Sequence, residues 1–403
     1  MSILAENVAP KPRVERVGVR DAPGRVLAKD VPATHDVPPR NTSHFDGFAV
    51  KAEDIAAASA KAPVVLALRG ELKPGANPRA SLRKGHAWKV ATGASLPKGA
   101  DTVVPVEEAA VEGKKVVVRR AVSKGEYVYG AGRDVKRGEP ILRGNRTLRP
   151  QDLVLLASLN FEKVLVAAKP KVAIVPTGSE LTDRVQGERG KIVESHSILL
   201  GRLVEAAGGI ALHFPIVRDD PRSLVRQIRR AVRAADMVIT MAGTSVGEPD
   251  LVDSAIDAAG SPGVLVHGVK VHRGRVMGFG VVSGKAIVMA PGPVQAALNS
   301  FIVFGYPLIR AHLGLGFETP PSIPATVVED WQAPKYPDFE QIVYVRLATT
   351  EGRVEAAPSS GETERMSFLV AQDAYTRVPG GKASLRNGEN VRVELLPGFA
   401  RLS

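Results

Sequence analysis

Asp236-Met237-Val238-Ile239-Thr240-Met241-Ala242-Gly243-Thr244-Ser245-Val246-Gly247-Glu248-Pro249-Asp250 is the stretch on which the fold turns. Its first half is a short apolar run rich in branched side chains, the pattern of a buried strand. Its second half crowds two glycines, two hydroxyls and two carboxylates into nine residues, more than a plain turn needs. Lys171-Val172-Ala173-Ile174-Val175-Pro176-Thr177-Gly178-Ser179-Glu180 repeats the design one strand earlier. Each stretch reads as a strand feeding a helix N-terminus, where backbone N–H groups and hydroxyls point at an anion. A carboxylate beside such a loop repels phosphate unless a divalent cation lies between them. The pairing predicts a site for a phosphorylated ligand together with Mg²⁺ or a similar cation.

Around these loops the chain alternates strand and helix from Lys169 to about Leu315. Ser195–Ala207 carries Leu199, Leu200, Leu203 and Val204 at helical spacing and stops at Gly208-Gly209. Asp220-Pro221 is an N-cap with proline at the first helical position, opening a helix whose inner face holds Leu224, Ile228, Ala231 and Val232. A further helix over Leu251–Ala259, strands at Val264–Val271 and Ala286–Met289, and a long helix from Pro293 complete the unit. Such alternation predicts a parallel or mixed sheet flanked by helices, with ligands at the strands' carboxyl ends. Ala290-Pro291-Gly292-Pro293 falls at one of those ends.

Outward from this core the pattern changes. Residues 45–143 show short β runs broken by Gly and Pro, including Val64–Leu68, Thr102–Val106 and Lys115–Val118. Residues 1–44 are rich in Pro and charge, with a helix and a strand expected around Val14–Val31. Another helix is expected over Pro150–Asn160, and residues from about 320 return to β character.

With 403 residues, 44% of them hydrophobic, the chain is long enough for about two to four domains. No apolar run approaches the roughly 20 residues of a membrane span, and no signal peptide is visible at Met1–Glu6, so the cytoplasm is the expected location. The absence of cysteine excludes disulfides, thiolate metal sites and thiol nucleophiles. A net charge of +12 invites nucleic acid, but aromatics are only 5% of residues and no aromatic-interleaved basic stripe appears. An anionic small molecule accounts for a basic pocket equally well.

Three further segments are weak one at a time: Asp46-Gly47-Phe48-Ala49, Thr92-Gly93-Ala94-Ser95-Leu96-Pro97-Lys98-Gly99-Ala100-Asp101-Thr102-Val103-Val104, and Gly132-Arg133-Asp134. In this order, with Thr177–Leu181, Asp219-Asp220 and Ala242–Asp250, they closely resemble the MoeA/gephyrin E-domain family, the molybdenum insertases. The resemblance spans essentially the whole chain. It implies a homodimer of four-part subunits: a discontinuous first domain (1–44 and 144–168), an inserted β-rich domain (45–143), a molybdopterin-binding α/β domain (169–315) and a C-terminal β-barrel (316–403). It implies insertion of molybdate or tungstate into adenylylated molybdopterin with release of AMP, downstream of a molybdopterin adenylyltransferase.

Carried over by residue, the resemblance gives Asp219, Asp250 and Glu180 the divalent metal, and Asp46, Asp134 and Glu180 the catalytic acidic side. Thr177, Gly178, Ser179, Gly243, Thr244, Ser245 and Gly247 would contact phosphate or pterin. Arg273, Arg275, Pro291, Gly292, Pro293 and Ser367 would complete the ligand surface. The family's Lys-Pro-Gly-Lys-Pro stands here as His272-Arg273-Gly274-Arg275-Val276, and its Pro-Gly-Asn-Pro as Ala290-Pro291-Gly292-Pro293. Those departures keep in view a molybdopterin-binding scaffold without insertase activity; a further alternative is the adenylyltransferase reaction, which uses a similar α/β domain alone and which the flanking modules disfavour.

Overall fold

The computed structural model describes residues 2–8, 10–76, 78, 81–241, 251–333, 335–359 and 366–395. The loop 242–250, and with it Gly243, Thr244, Ser245, Gly247 and Asp250, lies outside the described residues.

A six-stranded sheet organises the α/β unit, in the order Ile210–His213, Lys171–Pro176, Met237–Met241, Lys285–Ala290, Gly278–Val282, Pro262–His267. The first four strands are parallel and Gly278–Val282 is antiparallel to both neighbours, so the sheet is mixed. The strand Gly278–Val282 was not anticipated, and the expected strand Val264–Val271 ends instead at His267. Both faces of the sheet are covered, which is why its strands read as continuous apolar runs. Ala173 and Val175 pack with Leu224, Ile228, Val252 and Ile256 on one face. On the other, Val172 and Ile174 join Leu200, Leu203, Phe301 and Ile309.

Pro221–Ala234 forms as its sequence predicts: the Asp220 side chain accepts from the Ser223 N–H at 2.8 Å, and proline sits at the first turn. The long helix from Pro293 is not one continuous α-helix. It runs as α-helix over Val294–Ser300, π-helix over Phe301–Gly305 and α-helix again over Tyr306–His312. Pro307 has no N–H to donate, and the ladder widens by one residue just before it, with the Tyr306 N–H reaching Phe301 O.

Around the α/β unit stand three β assemblies. Val14–Gly18 pairs antiparallel with Lys163–Ala167, in a four-stranded sheet that also holds Val26–Leu27 and Arg146–Thr147. The helix expected within Val14–Val31 is reduced to the 3₁₀ turn Val19–Asp21, because the segment's alternating apolar residues find strand partners across the chain. Residues 47–118 supply a second six-stranded sheet, and the C-terminal region closes a five-stranded barrel over Ser322–Val327, Gln341–Thr350, Arg353–Pro358, Ala374–Val378 and Asn390–Glu394. One hydrophobic core joins the α/β unit to the N-terminal helix and the barrel region, through Leu4 and through Ile342, Tyr344, Leu369 and Tyr375, while the sheet of residues 47–118 packs around cores of its own. Among the described residues no helix is long and apolar enough to cross a membrane.

Candidate functional site

Adjacent parallel strands Lys171–Pro176 and Met237–Met241 leave in opposite directions, the first to its outer neighbour Ile210–His213 and the second toward the Lys285–Ala290 side. This is a topological switch point, the position in an α/β sheet at which ligands bind in the crevice outside the carboxyl ends of the strands. Thr177–Glu180 and Ala290–Pro293 both emerge at this pole. So does the basic loop His272–Val276, which connects the end of Pro262–His267 to the start of Gly278–Val282.

Thr177 is 1% exposed, and its N–H and hydroxyl both donate to Met241 O, at 2.9 and 3.0 Å. Its hydroxyl proton thus stitches the two central strands together at the crevice floor. The Gly178 N–H donates to Val217 O at 2.9 Å, and its φ of +146° is open to glycine. A Cβ there would stand 2.6 Å from Glu180 Oε1, so the Glu180 carboxylate folds back over the glycine. Ser179 and Asp219 form a reciprocal pair: the Ser179 N–H donates to Asp219 Oδ2 at 2.9 Å, and the Asp219 N–H to Ser179 Oγ at 3.0 Å. Lys191 Nζ donates to Ser179 O.

The expected strand-to-helix design is therefore corrected here. The chain turns at Gly178 and pairs Leu181–Thr182 with Ile192–Val193, and the next helix opens only at His196. The Ser179 N–H is occupied by a carboxylate of the same chain.

Glu180, Leu181, Ile192, Glu194, His196, Met241, Gly292 and Pro293 wall a cavity of about 290 Å³ in the crevice. His196 was not anticipated from sequence. Burial holds its imidazole below the usual histidine value, opposed by the Glu194 carboxylate and a hydrogen bond with the Gly292 backbone. It thereby ties the helix His196–Ala206 to the Pro291–Pro293 turn. The signal was present in Glu194-Ser195-His196, a polar run where Glu194 Oε1 accepts the Ser197 N–H at 2.8 Å and starts the helix.

The basic loop is built by packing against the barrel region. Arg273 adopts a φ of +53°, and Asn299 Nδ2 donates to His272 O at 3.3 Å and Arg273 O at 3.1 Å. Arg275 lies 4.8 Å over the Tyr336 ring and donates to its hydroxyl at 2.9 Å. Burial, then the charges of Arg273, Arg275 and Lys335, keep the His272 imidazole below its usual value, against a hydrogen bond with the Gln341 side chain. Ser367 is exposed on the short helix Met366–Val370, whose Leu369 is anchored in the main core.

Asp46 and Asp134 occupy a second cluster, where three weak segments meet. The Thr92 N–H and hydroxyl donate to Asp46 Oδ1 at 2.6 and 2.9 Å and hold its carboxyl below the usual range. The Gly93 N–H reaches Ser43 O at 2.8 Å, Thr42–Ser43 pairs with Val128–Tyr129, and the Asp134 N–H reaches Val37 O at 3.0 Å. His44 and Arg133 flank the Tyr129 ring at 4.3 and 4.6 Å. Among the described residues no hydrogen bond or ion pair joins this cluster to the switch-point loops.

Among the described residues no group of three or more His, Cys, Asp or Glu side chains is placed to hold a metal ion. Asp219 and Glu180 do converge on the Ser179 loop, and their all-oxygen donor chemistry suits a hard divalent cation. Asp250 lies outside the described residues.

A family model described as the MoeA N-terminal region (domain I and II) matches residues 1–160. Another, described as a probable molybdopterin binding domain, matches residues 173–311. The chain is similar to the molybdopterin molybdenumtransferase of Nostoc sp., 31% identical over 393 residues, covering 95% of this chain and 89% of that one. It is likewise similar to that of Bacillus subtilis, 30% identical over 388 residues, covering 95% and 90%. Among solved structures, a molybdopterin biosynthesis MoeA protein from Pyrococcus horikoshii superposes with a TM-score of 0.88 at 28% identity, covering 98% of both chains. Full-length relatives, matched models and a shared fold agree: the chain belongs to the MoeA family of molybdopterin molybdenumtransferases.

Proposed function

We propose that this protein transfers molybdenum from molybdate to adenylylated molybdopterin at the switch-point crevice, with cleavage of the adenylate and release of AMP. The observation that carries the reading is the Ser179–Asp219 reciprocal pair beside a 290 Å³ cavity floored by Met241 and capped by Gly292-Pro293. It presents carboxylate oxygen next to the turn at which an anionic ligand docks. The cavity's mixed wall, apolar at Leu181 and Ile192 and polar at Glu180, Glu194 and His196, suits a pterin ring with polar edges.

Asp219 and Glu180, with Asp250, would hold Mg²⁺ or a similar cation. Such a cation, when bound, screens phosphoanhydride charge and stabilises the oxygen that leaves as AMP. The residues of the chain do the rest. Gly178 lets the Glu180 carboxylate close over the backbone, and His196, neutral near pH 7, orients the Pro291–Pro293 turn without adding charge. Arg273 and Arg275 supply fixed positive charge at the same pole for molybdate or phosphate oxygens. Asp46 and Asp134 would supply the acidic side of the reaction. We infer that a partner subunit in a homodimer brings its own copy to each site, with Ser367 at the margin.

AMP release from adenylylated molybdopterin with Mg²⁺ tests the reading, comparing no oxyanion, molybdate and tungstate. Oxyanion-triggered release, abolished in Asp250→Ala, is expected. Pterin binding without release in any arm would sink the proposal in favour of a scaffold, and ATP-dependent formation of the adenylate would instead indicate the adenylyltransferase reaction.

A further inference from the structure

At the opposite pole of the α/β sheet lies a cavity of about 220 Å³ that the proposed chemistry does not use. It is walled by Lys11 and Arg13 of the N-terminal segment, Ala168 and Pro170 of the connection into the first central strand, and Asp236, Lys285 and His312. Asp236 and Lys285 sit at the amino ends of Met237–Met241 and Lys285–Ala290. The crevice lies at the carboxyl ends of those same strands, so the two cavities are separated by the length of the sheet.

Three cations face one carboxylate in this cavity, and that carboxylate is already committed. Asp236 Oδ2 accepts from Arg13 Nη2 at 2.8 Å and from the Lys171 N–H at 2.7 Å. Lys285 Nζ donates to Val232 O and Ala235 O, both at 2.7 Å, capping the helix Pro221–Ala234 and leaving one proton uncommitted. Lys11 is exposed at the rim. His312, at the end of the helix Tyr306–His312, buries its Nε2 without a hydrogen-bond partner. A buried ring nitrogen with no partner among cations is a vacant hydrogen-bonding position in a positive field.

We propose that this amino-pole cavity binds a small tetrahedral oxoanion, free or as the phosphoryl end of a metabolite, with protonated His312, Lys285 and Lys11 as its donors. The anion would clip the N-terminal segment to the α/β unit, because Lys11 and Arg13 belong to the first and His312 and Lys285 to the second. The segment is already tied to the α/β unit by the Arg13–Asp236 ion pair, and Arg13 O accepts from the Ala168 N–H at 2.7 Å just before that unit begins. The groups facing His312 fit such a ligand: burial, then Arg13 and Lys285, hold its imidazole below the usual value, and Asp236 alone opposes them. An added dianion reverses that balance and makes His312 take up a proton.

The test follows the ring protons of His312 by NMR in full-length protein labelled at histidine and assigned with His312→Gln. Titrations are run in chloride and, at matched ionic strength, with inorganic phosphate or with AMP. Phosphate is expected to raise the His312 midpoint by about one pH unit, a tenfold shift in protonation, saturably, and Lys11→Ala should weaken the response at least several-fold. A response to AMP alone would assign the site to the phosphoryl group of a larger ligand. An unmoved midpoint with both probes, or a shift undiminished in Lys11→Ala, overturns the proposal. Because the readout is a ring at the amino pole, an anion bound only in the crevice leaves it unchanged.

Discussion

Glycine at 178 is demanded by the neighbour two positions on. Alanine there combines an unfavourable φ of +146° with a contact of 2.6 Å to Glu180 Oε1. Gly178→Ala is therefore expected to displace the carboxylate and cost about 1–3 kcal/mol of local strain. Thermal unfolding should move modestly while oxyanion-triggered AMP release falls tenfold or more; full activity would show that Glu180 need not lie over the turn. Asp46 offers a second residue-scale measurement. Thr92→Val removes the hydroxyl bond and keeps the backbone one, so the Asp46 midpoint, read by NMR, should rise partway toward the ordinary carboxylate value. No movement would mean that the backbone N–H alone sets it. Both residues and their partners stood out in the sequence, but the pairings between them did not. That the Asp219 carboxylate binds the Ser179 N–H, 40 positions away, follows only from the strand order that brings Val217 beside Thr177.

Among elements, the helix Val294–Ser300 connects the basic loop to the barrel through one buried side chain. Tyr344, on the barrel strand Gln341–Thr350, donates its hydroxyl to Asn299 Oδ1 at 2.8 Å while Asn299 Nδ2 holds the carbonyls of His272 and Arg273. Tyr344→Phe leaves a buried acceptor unpaired, and about 1–3 kcal/mol of stability should be lost in denaturant unfolding. The same variant should loosen the Arg273–Arg275 loop and accelerate its backbone amide exchange. Unchanged exchange would show that Arg275 stacking on Tyr336 holds the loop unaided. Helix existence was legible wherever apolar spacing, caps and stops agreed, as at Pro221–Ala234. The π-helical stretch was not, since Val294–His312 reads as one apolar run and the consequence of Pro307 depends on how that run packs.

For the molecule as a whole, three histidines share one electrostatic condition: burial lowers His196, His272 and His312 below the usual imidazole value. In the unfolded chain they titrate near 6.5, so around pH 6 the unfolded state binds more protons than the folded one. Stability should then rise as pH climbs toward about 7 and level off above it, with the loss on the acid side diminished when phosphate fills the amino-pole cavity. Unfolding midpoints across pH 5 to 8, with and without phosphate, check both parts; a stability that falls as pH rises through 6 would contradict the burial assignment. What the sequence by itself determined was the local and the periodic: buried strands from apolar runs, helices from spacing and caps, and a family from the order of its loops, since each depends on neighbours along the chain. What only the tertiary structure decided was company across distance. It set the antiparallel strand Gly278–Val282, the Asp219 grip on Ser179, the His196 contact with Gly292 and the Thr92 grip on Asp46. Those contacts arise when chain entropy is surrendered for burial and pairing between segments far apart, and linear order carries no record of which segments will meet.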